Sequence, residues 1–128
     1  MEFMGYRRRD GSVGTRNYVG IFSTVLCANE VAVNIAREVK GAVSFTHNAG
    51  CGELPSDTRR TEDVLIGLGC NPNVHSVMLV SLGCESTLVP TVAEAIRSRT
   101  GKRVETVVVQ EWGGSIAAAA KANKIVKE

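Results

Sequence analysis

His47-Asn48-Ala49-Gly50-Cys51-Gly52-Glu53 gathers an imidazole, a thiol and a carboxylate into one short stretch, and it holds one of only two histidines in the chain. Gly50 and Gly52 let the backbone take positive φ or come close to a ligand. His47 and Cys51 are four residues apart, a spacing a tight loop can close around one ion. Imidazole and thiolate are ordinary ligands of zinc and ferrous iron. His47 is thus a candidate base or metal ligand, and Cys51 a candidate ligand. A second stretch, Ser81-Leu82-Gly83-Cys84-Glu85, adds Cys84 as a ligand and Glu85 as an acid or base. Cys27, in Thr24-Val25-Leu26-Cys27-Ala28-Asn29, falls near the start of a predicted helix, where backbone N–H groups favour the thiolate. Gln110-Glu111-Trp112-Gly113-Gly114-Ser115 carries a further carboxylate and the only tryptophan. The plainer reading of the thiols is that they pack as small groups beneath glycine-rich turns.

Each of these stretches follows a predicted strand. Residues 18–23 (YVGIFS), 42–46 (AVSFT), 77–80 (VMLV) and 104–109 (VETVVV) are short apolar or β-branched runs, as expected of parallel strands covered on both faces. Amphipathic helices are predicted over residues 29–39, from about 56 to 68, over 89–99 and over 116–124, with Asn29 and Ser115 as candidate caps. The order βαβαβαβα with short right-handed crossovers predicts an α/β fold: a three-layer sandwich with a four-stranded parallel sheet in the order 2-1-3-4. The fold is Rossmann-like, but no dinucleotide fingerprint follows the first strand. In such sheets ligands bind at the carboxyl ends of the strands. There the four loops should bring together Cys27, His47, Cys51, Glu53, Cys84, Glu85, Glu111 and Trp112. Residues 70–75, containing Pro72 and two asparagines, read as a turn at the opposite end of the sheet. Cys70 there is expected to serve packing.

Residues 1–17 form a basic arm with arginines at 7, 8, 9 and 16, and residues 18–128 a single α/β domain. Asp10-Gly11 is a strong turn signal, so the arm reads as solvated or as a hairpin. Arg16 offers a planar fork suited to a carboxylate. Standing just before the first strand, it would serve the site only if the arm folds over or a second subunit supplies it. At 44% apolar and 22% charged residues the chain is globular rather than disordered. A net charge of +2 gives no large field to draw it to nucleic acid or membrane. There is no stretch approaching a membrane span and no signal-peptide pattern. Four cysteines without a C-x-x-C pair point to reduced thiols and a cytoplasmic setting.

The strings YRRRDGSVGTRNY (residues 6–18), HNAGCG (47–52), LGCE (82–85) and QEWGG (110–114) resemble the middle domain of the altronate and galactarate dehydratases. The large subunit of sulfolactate sulfo-lyase is similar. The resemblance covers nearly the whole chain. It implies a hydro-lyase that removes water from a sugar acid such as altronate or galactarate to give a 2-keto-3-deoxy acid. It also implies Fe2+ as cofactor, with Zn2+ the other candidate, held by His47, Cys51, Cys84 and Cys27. His47, Glu85 and Arg16 are then the candidate catalytic residues. Family members carry a small β-rich domain before this one and a larger domain after it. The chain is therefore expected to be a fragment of a larger enzyme or one chain of a complex, to form homo-oligomers, and to be inactive alone. The alternative is a non-catalytic binding or scaffold domain with a structural zinc or iron–sulfur site.

Overall fold

The computed structural model describes residues 1–128. A short hairpin of β1 (Tyr6–Arg7) and β2 (Val13–Gly14) comes first. Then follow β3 (Tyr18–Ser23), α1 (Asn29–Glu38), β4 (Ala42–Phe45), α2 (Pro55–Cys70), β5 (Val74–Ser81), α3 (Val89–Thr100), β6 (Val104–Val108) and α4 (Ser115–Lys127). Strands β3 to β6 form one parallel sheet in the order β4-β3-β5-β6. That is the expected order, with β3 and β5 side by side in the centre: Gly20 faces Val77 and Ile21 faces Met78.

The alternation of side chains along each strand builds two separate cores. Ile21, Met78, Val80 and Val107 point to one face, where they meet Val31, Ala32 and Ile35 of α1 and Ala118 and Ala122 of α4. Phe22, Val77, Leu79 and Val104 point to the other, against Leu65 and Ile66 of α2 and Val92, Ala93 and Ile96 of α3. The result is the three-layer sandwich.

Helix α2 runs further than its glycines suggest and takes in Cys70 as its last residue, with Pro72 just beyond. Gly67 and Gly69 do not loosen it. A Cβ at Gly69 would lie 2.4 Å from Ile96 Cδ1, so this glycine lets α2 and α3 come together. Cys70 packs half-buried at the edge of that core. Helix α4 likewise continues to Lys127, past the expected end.

The basic arm folds back as the hairpin and docks at the amino-terminal rim of the sheet. The residue that holds it is Arg8, which is buried. Its Nε donates to Pro72 O at 2.7 Å, Nη1 to Asn17 Oδ1 at 2.7 Å and Nη2 to Arg16 O at 2.8 Å. A planar guanidinium answers three oxygens at once, and charge-assisted bonds are the stronger kind. Asn73 completes the joint by accepting from the backbone N–H groups of Thr15 and Arg16. Arg16 itself is exposed, its guanidinium bonded only to Thr15 O. Arg8→Ala should lower the unfolding free energy by about 2–3 kcal/mol, and Arg16→Ala by no more than about 0.5 kcal/mol. Urea denaturation of the two variants checks the contrast; equal losses would remove Arg8 as the staple.

Candidate functional site

At the carboxyl rim the loops are stitched together by side chains from the end of β3. Thr24, fully buried, donates from its N–H to Val80 O at 3.1 Å and from Oγ1 to Glu85 Oε1 at 2.6 Å. Its carbonyl accepts from Thr87 Oγ1 at 3.2 Å. Glu85 Oε2 accepts from Gly83 N–H at 2.7 Å. The 46–54 loop is drawn in by Leu26 N–H to Ala49 O at 3.0 Å and Ser86 N–H to Gly50 O at 2.8 Å. Gly50 has φ +98°, and a Cβ there would lie 2.5 Å from Thr24 O, so this crossing of backbones requires glycine. The β6 loop joins through Gln110 N–H to Leu82 O at 3.1 Å.

His47 belongs to the same network. Its Nε2 lies 2.9 Å from Ser23 O and its Nδ1 accepts from Ala49 N–H at 3.1 Å. These partners set the neutral tautomer with the proton on Nε2. Asn29 does not cap α1: its Nδ2 donates to His47 O at 2.9 Å and its Oδ1 accepts from Ser23 Oγ. Ser115 likewise does not cap α4; it is the first helical residue, and Gly114 holds the cap position.

Glu85 is half-buried. Burial works against its charge, but the Ser81 and Thr24 hydroxyls and the backbone N–H groups of Glu85 and Gly83 outweigh it. They hold the carboxyl below the ordinary glutamate range. It is therefore ionised at neutral pH and already has donors on both oxygens.

Two clefts open on either side of this seam. One, of about 670 Å³, lies between α3 and the ends of β5 and β6 and is bordered by Ser81, Glu85, Glu94, Arg97 and Glu111. The other, of about 420 Å³, lies between β4 and α2 and is bordered by Phe45, His47, Glu53, Asp57, Arg60 and Leu68. Glu53 accepts from Thr61 Oγ1 at 3.0 Å through Oε1, while its buried Oε2 has no partner. Arg60 makes no ion pair; the salt bridges of the chain both involve Arg103. A buried carboxylate oxygen without a donor calls for a hydroxyl or a cation, and a guanidinium on the wall of the same cleft suits a carboxylate.

The structure thus brings the loops of His47, Cys51, Cys84, Glu85 and Cys27 to one rim, but it does not gather their side chains. Cys27, Cys51 and Cys84 are exposed. No three His, Cys, Asp or Glu side chains come close enough together to hold a metal ion, and both ring nitrogens of His47 already have protein partners. As placed, this donor set does not fit iron or zinc, nor the closed four-ligand set of a structural centre. Arg16 stands at the opposite rim, tied to the β5 turn by Asn73, and does not meet His47 or Glu85 within one chain. Glu53, whose loop the sequence places at this rim, stands out only through its unpartnered oxygen. The spacing did not single out Thr24, Asn29, Asp57 or Arg60. The last two lie in the first turns of α2, and the Asp57–Arg60 spacing that puts them on one face of a helix was the available signal.

A parallel four-stranded sheet wound with helices on both faces, with its loops at the carboxyl rim, defines a Rossmann-like α/β domain. Residues 5–128 match the second domain of D-galactarate dehydratase/altronate hydrolase, and the chain belongs to that family. It is 36% identical to the beta subunit of (2R)-sulfolactate sulfo-lyase from Chromohalobacter salexigens, over 87% of this chain and 28% of that one. It is 32% identical to altronate dehydratase of Escherichia coli strain K12, over 88% of this chain and 25% of that protein. Against altronate dehydratase of Bacillus subtilis strain 168 it is also 32% identical, over 80% and 23%. The chain thus spans about a quarter of the length of these relatives. No solved structure matches it significantly. No helix is long and apolar enough to cross a membrane.

A carboxyl whose folded pKa lies below its ordinary value contributes stability above that value, and loses it as pH falls through the folded pKa. Glu85 should therefore make the wild type more stable than Glu85→Gln at pH 7, by about 1 kcal/mol. The gap should close as pH drops below the ordinary glutamate value of 4.5. Urea midpoints of both proteins across this range test it; a gap independent of pH would mean that the charge of Glu85 does not matter to the fold.

Proposed function

We propose that this chain is the sugar-acid-binding domain of a hydro-lyase, taking a polyhydroxy acid such as altronate or galactarate in the cleft between β4 and α2. The observation that carries the reading is that the unpartnered buried oxygen of Glu53 and the guanidinium of Arg60, which makes no ion pair, border the same cleft, taken with membership of the family. A hydroxyl of the acid would donate to Glu53, and its carboxylate would take the fork of Arg60, the role first expected of Arg16. Arg16 would serve only from a second copy.

Dehydration takes the proton on the carbon beside the carboxylate and expels the neighbouring hydroxyl as water; the enol then becomes the 2-keto acid. In this reading His47 would act as the base once the substrate displaces the Ala49 N–H from the single lone pair of Nδ1. Glu85 is a fixed charge that orders the rim rather than the proton donor, since its carboxyl is held ionised. No step is assigned to a metal. Four short loops leave such a substrate open to water. Leu26, Leu54, Leu88 and Trp112, one from each loop, are exposed around them, and this suits covering by a further domain or subunit. The chain alone should accordingly bind but not turn over.

Titration of the ¹⁵N-labelled chain with galactarate and altronate is the test. Saturable shifts are expected at the Ala49, Glu53 and Thr61 amides, weakened about tenfold or more in Arg60→Gln and absent with the neutral polyol galactitol. Shifts confined to other surfaces, or none, would remove the cleft as the substrate site. Formation of 2-keto acid by the purified chain would overturn the reading that it binds without turnover.

A further inference from the structure

The arginines of the arm have no part in the site at the loops, yet the hairpin carries them to a definite place. At the amino-terminal rim Arg7, Arg8 and Arg9 meet His75 at the start of β5 and Thr100, Gly101, Lys102 and Arg103 between α3 and β6, around a pocket of about 470 Å³. No carboxylate and no apolar side chain lines it. The small net charge of +2 conceals this separation: the carboxylates Glu53, Asp57, Glu85, Glu94 and Glu111 all border the clefts at the other rim.

Donors remain open in this pocket. Arg8 is engaged as the staple through all three of its nitrogens. Arg7 has no hydrogen-bond partner, and Arg9 has only a 3.4 Å contact to Gly101 O. Arg103 uses Nε on Glu105 at 3.0 Å and has Nη2 3.8 Å from Glu128. Lys102 is only 7% exposed. Its ammonium donates to Gly69 O at 2.9 Å and Asn71 O at 2.7 Å, which leaves the third of its N–H groups without a protein acceptor. Burial, and then the charge of Arg8, holds Lys102 below the ordinary lysine range. A neighbouring anion would relieve that cost. Asp10 of the arm, whose Oδ1 accepts from Ser12, offsets that cost in part.

We propose that this pocket is a binding site for a small phosphate-class dianion, either inorganic phosphate or the phosphoryl group of a small metabolite, held by Arg7, Arg9, Lys102 and Arg103. Donors reach it from two separate segments, the arm and the turn between α3 and β6, rather than as one fork facing one plane. That arrangement answers a tetrahedral oxyanion with acceptors on several sides better than it answers a flat carboxylate. The site lies at the far end of the sheet from Glu53 and Glu85 and does not depend on the substrate reading.

Titration of the ¹⁵N-labelled chain with inorganic phosphate, at ionic strength matched with sodium chloride, tests this. A saturable shift of the His75, Gly101 and Lys102 amides is expected, with the Gly83 and Glu85 amides still. Affinity should fall about tenfold or more in the double variant Arg9→Gln/Arg103→Gln, whose exposed side chains leave the Arg8 staple intact; an unchanged urea midpoint verifies that. Glycerol 2-phosphate in a parallel arm separates the sources: tighter binding than phosphate marks a metabolite, equal or weaker binding marks the free ion. A linear response no larger than that of chloride, unchanged affinity in the double variant, or malonate binding as tightly as phosphate would each overturn the assignment.

Discussion

Everything at the carboxyl rim hangs on Thr24. It follows the last residue of β3, at the point where the chain leaves the sheet on one side while β5 and β6 extend the other. Its N–H is paired with Val80 O, its hydroxyl with Glu85 and its carbonyl with Thr87. The hydroxyl has one proton, and the 2.6 Å contact to a carboxylate takes it in preference to the 3.3 Å contact to Val80 O. One fully buried side chain thereby fixes where the β5 loop turns and, with the Ser81 hydroxyl and the backbone N–H groups of Glu85 and Gly83, holds the Glu85 carboxyl below its ordinary range. Because Gly50 passes directly over the carbonyl of Thr24, it also sets how close the loop of His47 can come.

Such a joint explains how hydrogen bonds between loops order the rim. Polar groups buried where the strands end must be paired, and each pairing is between loops far apart in the chain. His47 is used in this way: one ring nitrogen faces Ser23, the other Ala49, so the imidazole braces its own loop as well as facing the cleft. Asn29 ties the same two segments from the start of α1. What remains free for a ligand is the outer shell, namely Arg60, one oxygen of Glu53 and the three exposed thiols.

The sheet was legible in the sequence because its signal is local. Four apolar runs, each followed by glycine and small polar residues, specify strands covered on both faces, and the short connections leave few topologies. The rim was legible as a place but not as a geometry. Thr24 and Glu85 are separated by 61 residues, and Arg8 and Pro72 by 64; no periodicity reports such pairs. Cys27, Cys51 and Cys84 looked equivalent because each follows a strand, yet following a strand does not aim a side chain inward. The arginines misled for a related reason. Arg16 had the best position on paper, while Arg8, one of three in a row, is the one whose guanidinium meets three oxygens. Gly69 does not end α2 but is its contact with α3. The end of α2 is set instead by Pro72, which did carry a local signal.

The place of the two ends of the fold has a consequence of its own. The hairpin leans on the turn before β5, and Glu128, beyond α4, reaches Arg103 at the start of β6. Entry and exit therefore share one face of the molecule, the face turned away from the loops. A unit built this way can be spliced into a longer polypeptide as a cassette, with both junctions side by side like the two wires of a plug. In the relatives the matched segment is about a quarter of the whole.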